Sequence, residues 1–350
     1  MMKQMNTAIF CLAVAVVAWT GVNAYRGFIE ANAQESPKDL KSDALSKKLH
    51  DAQNEDASPG DRPYPVFFID DVLVMLTTGA DKLIEKKLVK TSETLRKEID
   101  RTEFSTTLPP AFTKDLPTQD LYRRVSESVF LVAGLTKPGE KETDWQTAFS
   151  TAFVVHEDGI LSTSAHVFDH DDQDDAVVVM DFKGKVHPVI EILAADLKAD
   201  TCLFRIGTKG LKPLPLGNDA PPGSAVRVMG HPGDSFFFFS TGVIANYERD
   251  EDGRVWPNVT ADFGQGSSGG PVMDASGNVV GQVSRTYTLY AGGAASHRRK
   301  RTARQADATE AAKEPMEVAP GDEVGSRKHA DTQMVFKACT PVSALRALIK

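Results

Sequence analysis

Cysteine is nearly missing from this chain: three occur among 350 residues. Cys11 lies in an apolar N-terminal run, while Cys202 and Cys339 each sit inside a later apolar stretch. No C-x-x-C pair and no Cys/His spacing of a zinc site occurs, which excludes a zinc-stapled fold. Cys202 and Cys339 are open to two readings, a disulfide if the chain is exported or two buried free thiols. An excess of positive charge is missing as well. The formal net charge is −8, which argues against a nucleic-acid-binding body. No apolar run reaches the roughly 20 residues that a membrane-spanning helix needs. What remains is 41% hydrophobic and 25% charged residues, the balance of a globular protein with a real core.

The N-terminus is informative. "MMKQMNT" carries one Lys and no acid, and "AIFCLAVAVVAW" (Ala8 to Trp19) follows as an apolar core of about 12 residues. Small residues at Val22 and Ala24, and again at Ala31 and Ala33, fit an A-x-A-like cleavage pattern. The expectation is a secretory signal peptide over residues 1–24, cut after Ala24 or Ala33, and an extracytoplasmic location, periplasmic or secreted. An uncleaved segment would instead tether the chain to a membrane. Residues 25–115 read as an N-terminal extension or linker, partly helical. They are polar and charged to about Pro63, Lys/Glu-rich with helical character to Phe104, then Pro-rich in "STTLPPAFTKDLPTQ".

From residue 116 the texture changes. Short β-branched runs such as "SVFLVAGL", "AVVVMDF", "TCLFRIG", "AVRVMG" and "TGVIANYE" alternate with Gly, Asp, Asn and Pro turns at close spacing. That pattern predicts an all-β sandwich or barrel rather than βαβ units. The closing "PVSALRALIK" places Val342, Leu345 and Leu348 on a helical period, so a terminal helix is expected. Residues 291–331 hold almost no large apolar side chain and carry the basic cluster "RRKR", so they read as a disordered insertion between strands.

"GQGSSGGPV" surrounds a serine pair with glycines, which permit close backbone approach and dihedrals closed to other residues. Nucleophilic serine chemistry needs that setting, a base to take the proton, a group to orient the base, and N–H donors for the oxyanion. "GSSGGPV" resembles the G-x-S-G-G-P motif of the trypsin-like, chymotrypsin-fold serine proteases. The resemblance makes Ser268 the nucleophile, with Ser267 at the variable position and the N–H groups of Gly266 and Ser268 as oxyanion hole. "DGILSTSAHVF" resembles the family's T-x-x-H motif, placing His166 as base, and "AADLKADTCLFRI" resembles the strand that carries the acid, placing Asp200. Asp196 is the competing carboxylate. The order His166, Asp200, Ser268, at spacings of about 34 and 68 residues, suits that triad.

"LYRRVSESVFLV", "VMGHPGD" and "KACTPVSALRALI" are most similar to the HtrA/Deg-type bacterial branch. The implied fold is two six-stranded β-barrels with a C-terminal helix, over residues 116–350. Two departures stand out: the usual G-S-G-F before the histidine strand reads "STAF", and no PDZ-sized region follows. By the same resemblance Ser284 supports the triad Asp, while Arg285 and Thr286 pair with substrate backbone by strand addition. Asp262 lies six residues before Ser268, where a buried carboxylate would select Lys or Arg; the Deg-type alternative is a pocket for small aliphatic side chains.

The implied activity is hydrolysis of polypeptides through an acyl-enzyme, with no metal and no organic cofactor. The alternative is a catalytically inactive, protease-like binding or scaffold protein. An esterase elbow is excluded, because "GSSGG" would need its histidine downstream, and only His297 and His329 follow, both in the low-complexity segment. His156 and His170 read as surface residues and His231 as a structural turn residue. The run "DHDDQDD" reads as a solvated loop, lacking the spacing of a calcium loop.

Overall fold

The β-branched runs become strands because each can bury one face in a closed barrel, which leaves no unpaired edge. In the computed structural model, residues 66–137, 145–170, 174–233, 235–290 and 332–350 are described. The expected signal peptide, the polar start of the extension, "RRKR" and the expected insertion at 291–331 lie outside the described residues.

The first barrel is formed by β1 (Val129–Thr136), β2 (Gln146–His156), β3 (Ile160–Thr163), β4 (Ala176–Met180), β5 (Val186–Asp196) and β6 (Thr201–Ile206). It closes in the order β1-β2-β3-β6-β5-β4. The second is formed by β7 (Ala225–Gly230), β8 (Phe238–Arg249), β9 (Val255–Val259), β10 (Pro271–Met273), β11 (Val279–Tyr290) and β12 (Thr332–Pro341). It closes as β10-β11-β12-β9-β8-β7. The two six-stranded barrels implied by the resemblance are therefore what the chain forms. Each has its own core: Phe130, Val154, Phe168, Val179 and Phe204 in the first, Val228, Ile244, Val272, Val283 and Cys339 in the second. Burying one such side chain stabilises by about 1.5–3 kcal/mol.

β4 is buried along its whole length, which a half-exposed strand would not be. Its cover is α1 (Ile69–Glu85), whose Val72, Met75, Leu76 and Ala80 face inward. Gly79 lets α1 approach closely, since a Cβ there would lie 2.4 Å from a Val186 methyl. The helix has Asp70 and Asp71 in its first turn and Lys82 in its last, both signs matching its dipole.

After α2 (Ser92–Arg96) the chain runs on as a strap. The Ala195 N–H donates to the Arg101 carbonyl, Phe104 exchanges bonds with Leu348 and Lys350, and Phe112 is held by Asn278. α3 (Thr118–Ser126) then leads into β1, and α4 (Val342–Ala347) is the expected terminal helix, with Val342 and Leu345 buried. The Pro-rich connector is thus extended backbone laid on the second barrel. No helix among the described residues is long and apolar enough to cross a membrane.

Candidate active site

The site forms where the barrels meet. β3 ends at Thr163 and passes into the short 3-10 turn Ala165–Val167, which carries His166. β5 ends at Asp196, whose carboxylate accepts the N–H groups of Lys198 and Ala199, each at 2.9 Å. That turn delivers Asp200 at φ 55°, a left-handed conformation that Asp tolerates better than most residues. Thr340 of β12 holds the turn from the other barrel, donating to the Ala199 carbonyl at 2.7 Å. Asp196 is therefore a turn former, and Asp200 is the carboxylate at the histidine.

Asp200 collects three donors: the His166 backbone N–H at 3.0 Å, His166 Nδ1 at 2.9 Å, and the Ser284 hydroxyl at 2.5 Å. Both atoms facing Nδ1 are carboxylate oxygens, so Nδ1 carries the proton and Nε2 presents a lone pair. The Asp200 side chain is 15% exposed and that of His166 49%, so the carboxylate is sheltered while the imidazole opens to solvent. Clefts lie on either side of His166. One, of about 130 Å³, is bounded by Val132, Ser150 and Asp174. The other, of about 250 Å³, reaches Leu197, Trp256 and Arg285.

The serine pair divides sharply. Ser267 is fully buried against Gly230, whereas Ser268 is half-buried. The Ser268 hydroxyl donates to the Ser284 carbonyl at 3.4 Å, a long bond that rotation about χ1 would release. Ser284 thus touches both halves of the site, its hydroxyl on Asp200 and its carbonyl on Ser268.

Peptide planarity sets the donors. The Gln265 carbonyl accepts from Gly233 N–H at 2.8 Å, and the Ser267 carbonyl from Gly270 N–H at 2.9 Å. In a trans peptide the N–H points opposite to its C=O. The N–H groups of Gly266 and Ser268 consequently face the other way, and neither meets a protein acceptor among the described residues. Gly266 has φ 93°, and a Cβ there would lie 2.2 Å from the His231 carbonyl oxygen, so glycine is required.

The other expected residues fall at different distances from this centre. Arg285 lays its guanidinium over the Trp256 ring, 3.9 Å from the centroid. Thr286 pairs with Lys337 in the β11–β12 register. Asp262 has a side chain 76% exposed and is ion-paired with Lys337, so it lies at the surface rather than at the base of a buried pocket. His156 is partly buried beside Asp158, and His170 lines the smaller cleft beside Asp174. His231 is wholly buried, and burial pushes its pKa down to about 3. Cys202 and Cys339 are unpaired and buried, one in each barrel, and burial pushes both thiols up.

Sequence reasoning missed a seam of buried polar groups between the barrels. Ser162 and Thr201 both donate to Gln282 Oε1, at 3.4 and 2.8 Å, and Ser164 donates to the Val283 carbonyl at 2.9 Å. The hydroxyl-rich "LSTS" beside the histidine motif was the available signal.

Residues 150–281 match the trypsin-like peptidase domain family. A probable periplasmic serine endoprotease, DegP-like, of Halomonas elongata is 26% identical over 161 residues, covering 44% of this chain and 33% of that protein. Serine protease HTRA1 of Xenopus tropicalis is 30% identical over 144 residues, covering 38% and 30%. The chain spans about a third of the length of these curated relatives. Among solved structures, an HtrA-type protease AlgW with decapeptide aligns at a TM-score of 0.47 and 16% identity, covering 67% of this chain and 66% of the other. Residues 150–281 are thus similar to the trypsin-like peptidase domain, and less than half of the chain is similar in sequence to HtrA-type serine proteases.

Proposed function

We propose that the chain is an exported serine endopeptidase in which Ser268 attacks the peptide carbonyl. His166 Nε2 takes the serine proton and returns it to the leaving amine. Asp200 holds the Nδ1–H tautomer and stabilises the imidazolium formed between those steps. The N–H groups of Gly266 and Ser268 receive the oxyanion, and each such donor contributes about 3 kcal/mol to the transition state. An acyl group on Ser268 Oγ is then hydrolysed by water along the same proton path. The observation that carries this reading is Ser284, whose hydroxyl donates to the Asp200 carboxylate that holds His166 Nδ1 and whose carbonyl accepts from Ser268, a serine next to two N–H groups without a protein acceptor among the described residues.

Polypeptide is the substrate class, since Ser284, Arg285 and Thr286 lie on β11 beside Ser268 and can align an extended peptide by strand addition. The Asp262 carboxylate is taken by Lys337, so it is not counted as a selector of basic side chains. Export rests on the N-terminal sequence and on relatives named as periplasmic. A binding protein without catalysis is the second reading. It is favoured by one observation, the Ser268 hydroxyl resting on the Ser284 carbonyl.

Labelling with a fluorophosphonate separates the two. The hydrolase reading expects the wild type and Ser267→Ala to label and Ser268→Ala to stay dark. A wild type that stays dark, before and after trimming residues 1–65, would leave the binding protein.

A further inference from the structure

The Gly266 N–H points away from the Gln265 carbonyl and free of a protein acceptor among the described residues only while the peptide planes on either side of Gly266 keep their orientation. Glycine at φ 93° has little preference of its own for that orientation, so its neighbours must impose it. Two of them do so from beneath the loop. Thr151, on β2 of the first barrel, donates its hydroxyl to the Gly266 carbonyl at 2.8 Å. The same hydroxyl oxygen lies 3.0 Å from His231 Nδ1 and receives the His231 backbone N–H at 3.1 Å. Both residues are fully buried.

Counting protons fixes the arrangement. Thr151 has one hydroxyl proton, and the Gly266 carbonyl can only accept, so the proton goes there. His231 Nδ1 must then be the donor to Thr151 Oγ1. The hydroxyl makes three bonds, two accepted and one donated, and is saturated. His231 Nε2 is left as a bare acceptor without a partner among the described residues. Protonating it would place an unpaired N–H in the core, so His231 is held neutral and in one tautomer. The same turn contributes Gly233 N–H to the Gln265 carbonyl, and the His231 carbonyl is the surface on which Gly266 rests. Phe236 and Phe237 close over the ring, with centroids 6.2 and 4.7 Å away.

We propose that Thr151 and His231 form a buried latch that sets the peptide planes around Gly266, making them positioning residues for the oxyanion donors; this rests on the reading of Ser268 as nucleophile. The latch crosses the barrel interface, with Thr151 on the first barrel and Gly266 on the second. Its central atom is the hydroxyl of the second residue of "STAF", a position where the usual G-S-G-F also carries a hydroxyl.

The test uses the full chain with an alkyl fluorophosphonate–rhodamine probe, whose phosphonyl oxygen occupies the oxyanion position. Four variants are compared: Thr151→Val and His231→Leu, which remove one latch donor each, and Thr151→Ser and His231→Asn, which keep them. The Asn amide nitrogen stands close to where Nδ1 stood. The latch predicts that Thr151→Val and His231→Leu lower the maximal labelling rate by about 10- to 100-fold. Half-saturating probe concentration stays within about threefold, and the Ser and Asn variants stay within about threefold on both. Crystal structures of the wild type and Thr151→Val give an arm independent of activity: the Gly266 carbonyl is expected to leave its present direction in the variant. Labelling of Thr151→Val and His231→Leu at the wild-type rate, or an unmoved Gly266 carbonyl, would overturn the latch while leaving the hydrolase reading intact. A wild type dark before and after trimming residues 1–65 would remove the hydrolase reading, and the carbonyl direction would still decide whether the latch exists.

Discussion

The two halves of the site are held by different means. On the first barrel, Asp200 and His166 are fixed through one side-chain carboxylate: a backbone N–H, the imidazole and the Ser284 hydroxyl from β11 converge on it, and the tautomer follows from it. On the second, the loop from Gly264 to Ser268 is fixed through its backbone. Its carbonyls are tied to Gly233, Thr151 and Gly270, and its useful N–H groups are what remain. Side chains can be replaced one at a time, whereas a backbone arrangement can be disturbed only through what it leans on. Apart from Ser268 itself, whose side chain acts directly, the first half should therefore fail steeply and locally, and the second gradually and through residues that never touch substrate.

The largest break is expected at Ser268, the proposed nucleophile. Ser268→Ala should lower peptide hydrolysis by about 10⁶-fold, the scale seen when a triad serine is removed. Ser267→Ala should stay within about threefold, since its hydroxyl only meets the Gly264 N–H at 3.5 Å. Equal losses in the two would mean that the divided burial of the pair has no functional meaning. Turnover of a quenched peptide by the purified variants measures both.

Next comes Asp200→Asn. The Asn amide would face Nδ1 with an N–H, drive the imidazole proton to Nε2, and leave no lone pair for Ser268. A loss of about 10⁴-fold in kcat is expected, with KM little changed. A loss below tenfold would show that His166 does not depend on the carboxylate for its tautomer. Ser284→Ala removes one of three donors to the same carboxylate and keeps the other two. Its effect should be about tenfold, the contribution of one hydrogen bond to a charged group.

That contrast also explains what could be read from sequence. His166, Asp200 and Ser268 stood out because their chemistry depends on side-chain type, and motif spacing preserves type. The barrels were legible for a similar reason, since short β-branched runs with turn residues between them have few other solutions. Thr151 and His231 were not legible as a pair. They are 80 positions apart, and a Thr in a strand reads as an ordinary half-buried residue. Gln282, buried between the barrels, was hidden in the same way inside an apolar strand. The strap over residues 92–116 looked like a linker because its order comes from hydrogen bonds to the barrels, which no local periodicity encodes.

The smallest expected effect concerns stability rather than rate, and it probes the buried side of the comparison. His231 has an ordinary pKa near 6.5 when unfolded and about 3 in the folded protein, lowered by burial. Between those values the unfolded chain binds a proton that the folded one does not, so stability must fall as pH falls through that window and is fully present above it. The slope can reach about 1.4 kcal/mol per pH unit. His231→Asn keeps a donor to Thr151 but cannot titrate, so its urea midpoint should fall less between pH 6.5 and 5.5, where most carboxylates are still charged and drop out of the difference. Parallel losses in wild type and variant would mean that His231 can take a proton in the folded state. The ring would then have an acceptor for Nε2, and the single-tautomer argument for the Gly266 loop would fail with it.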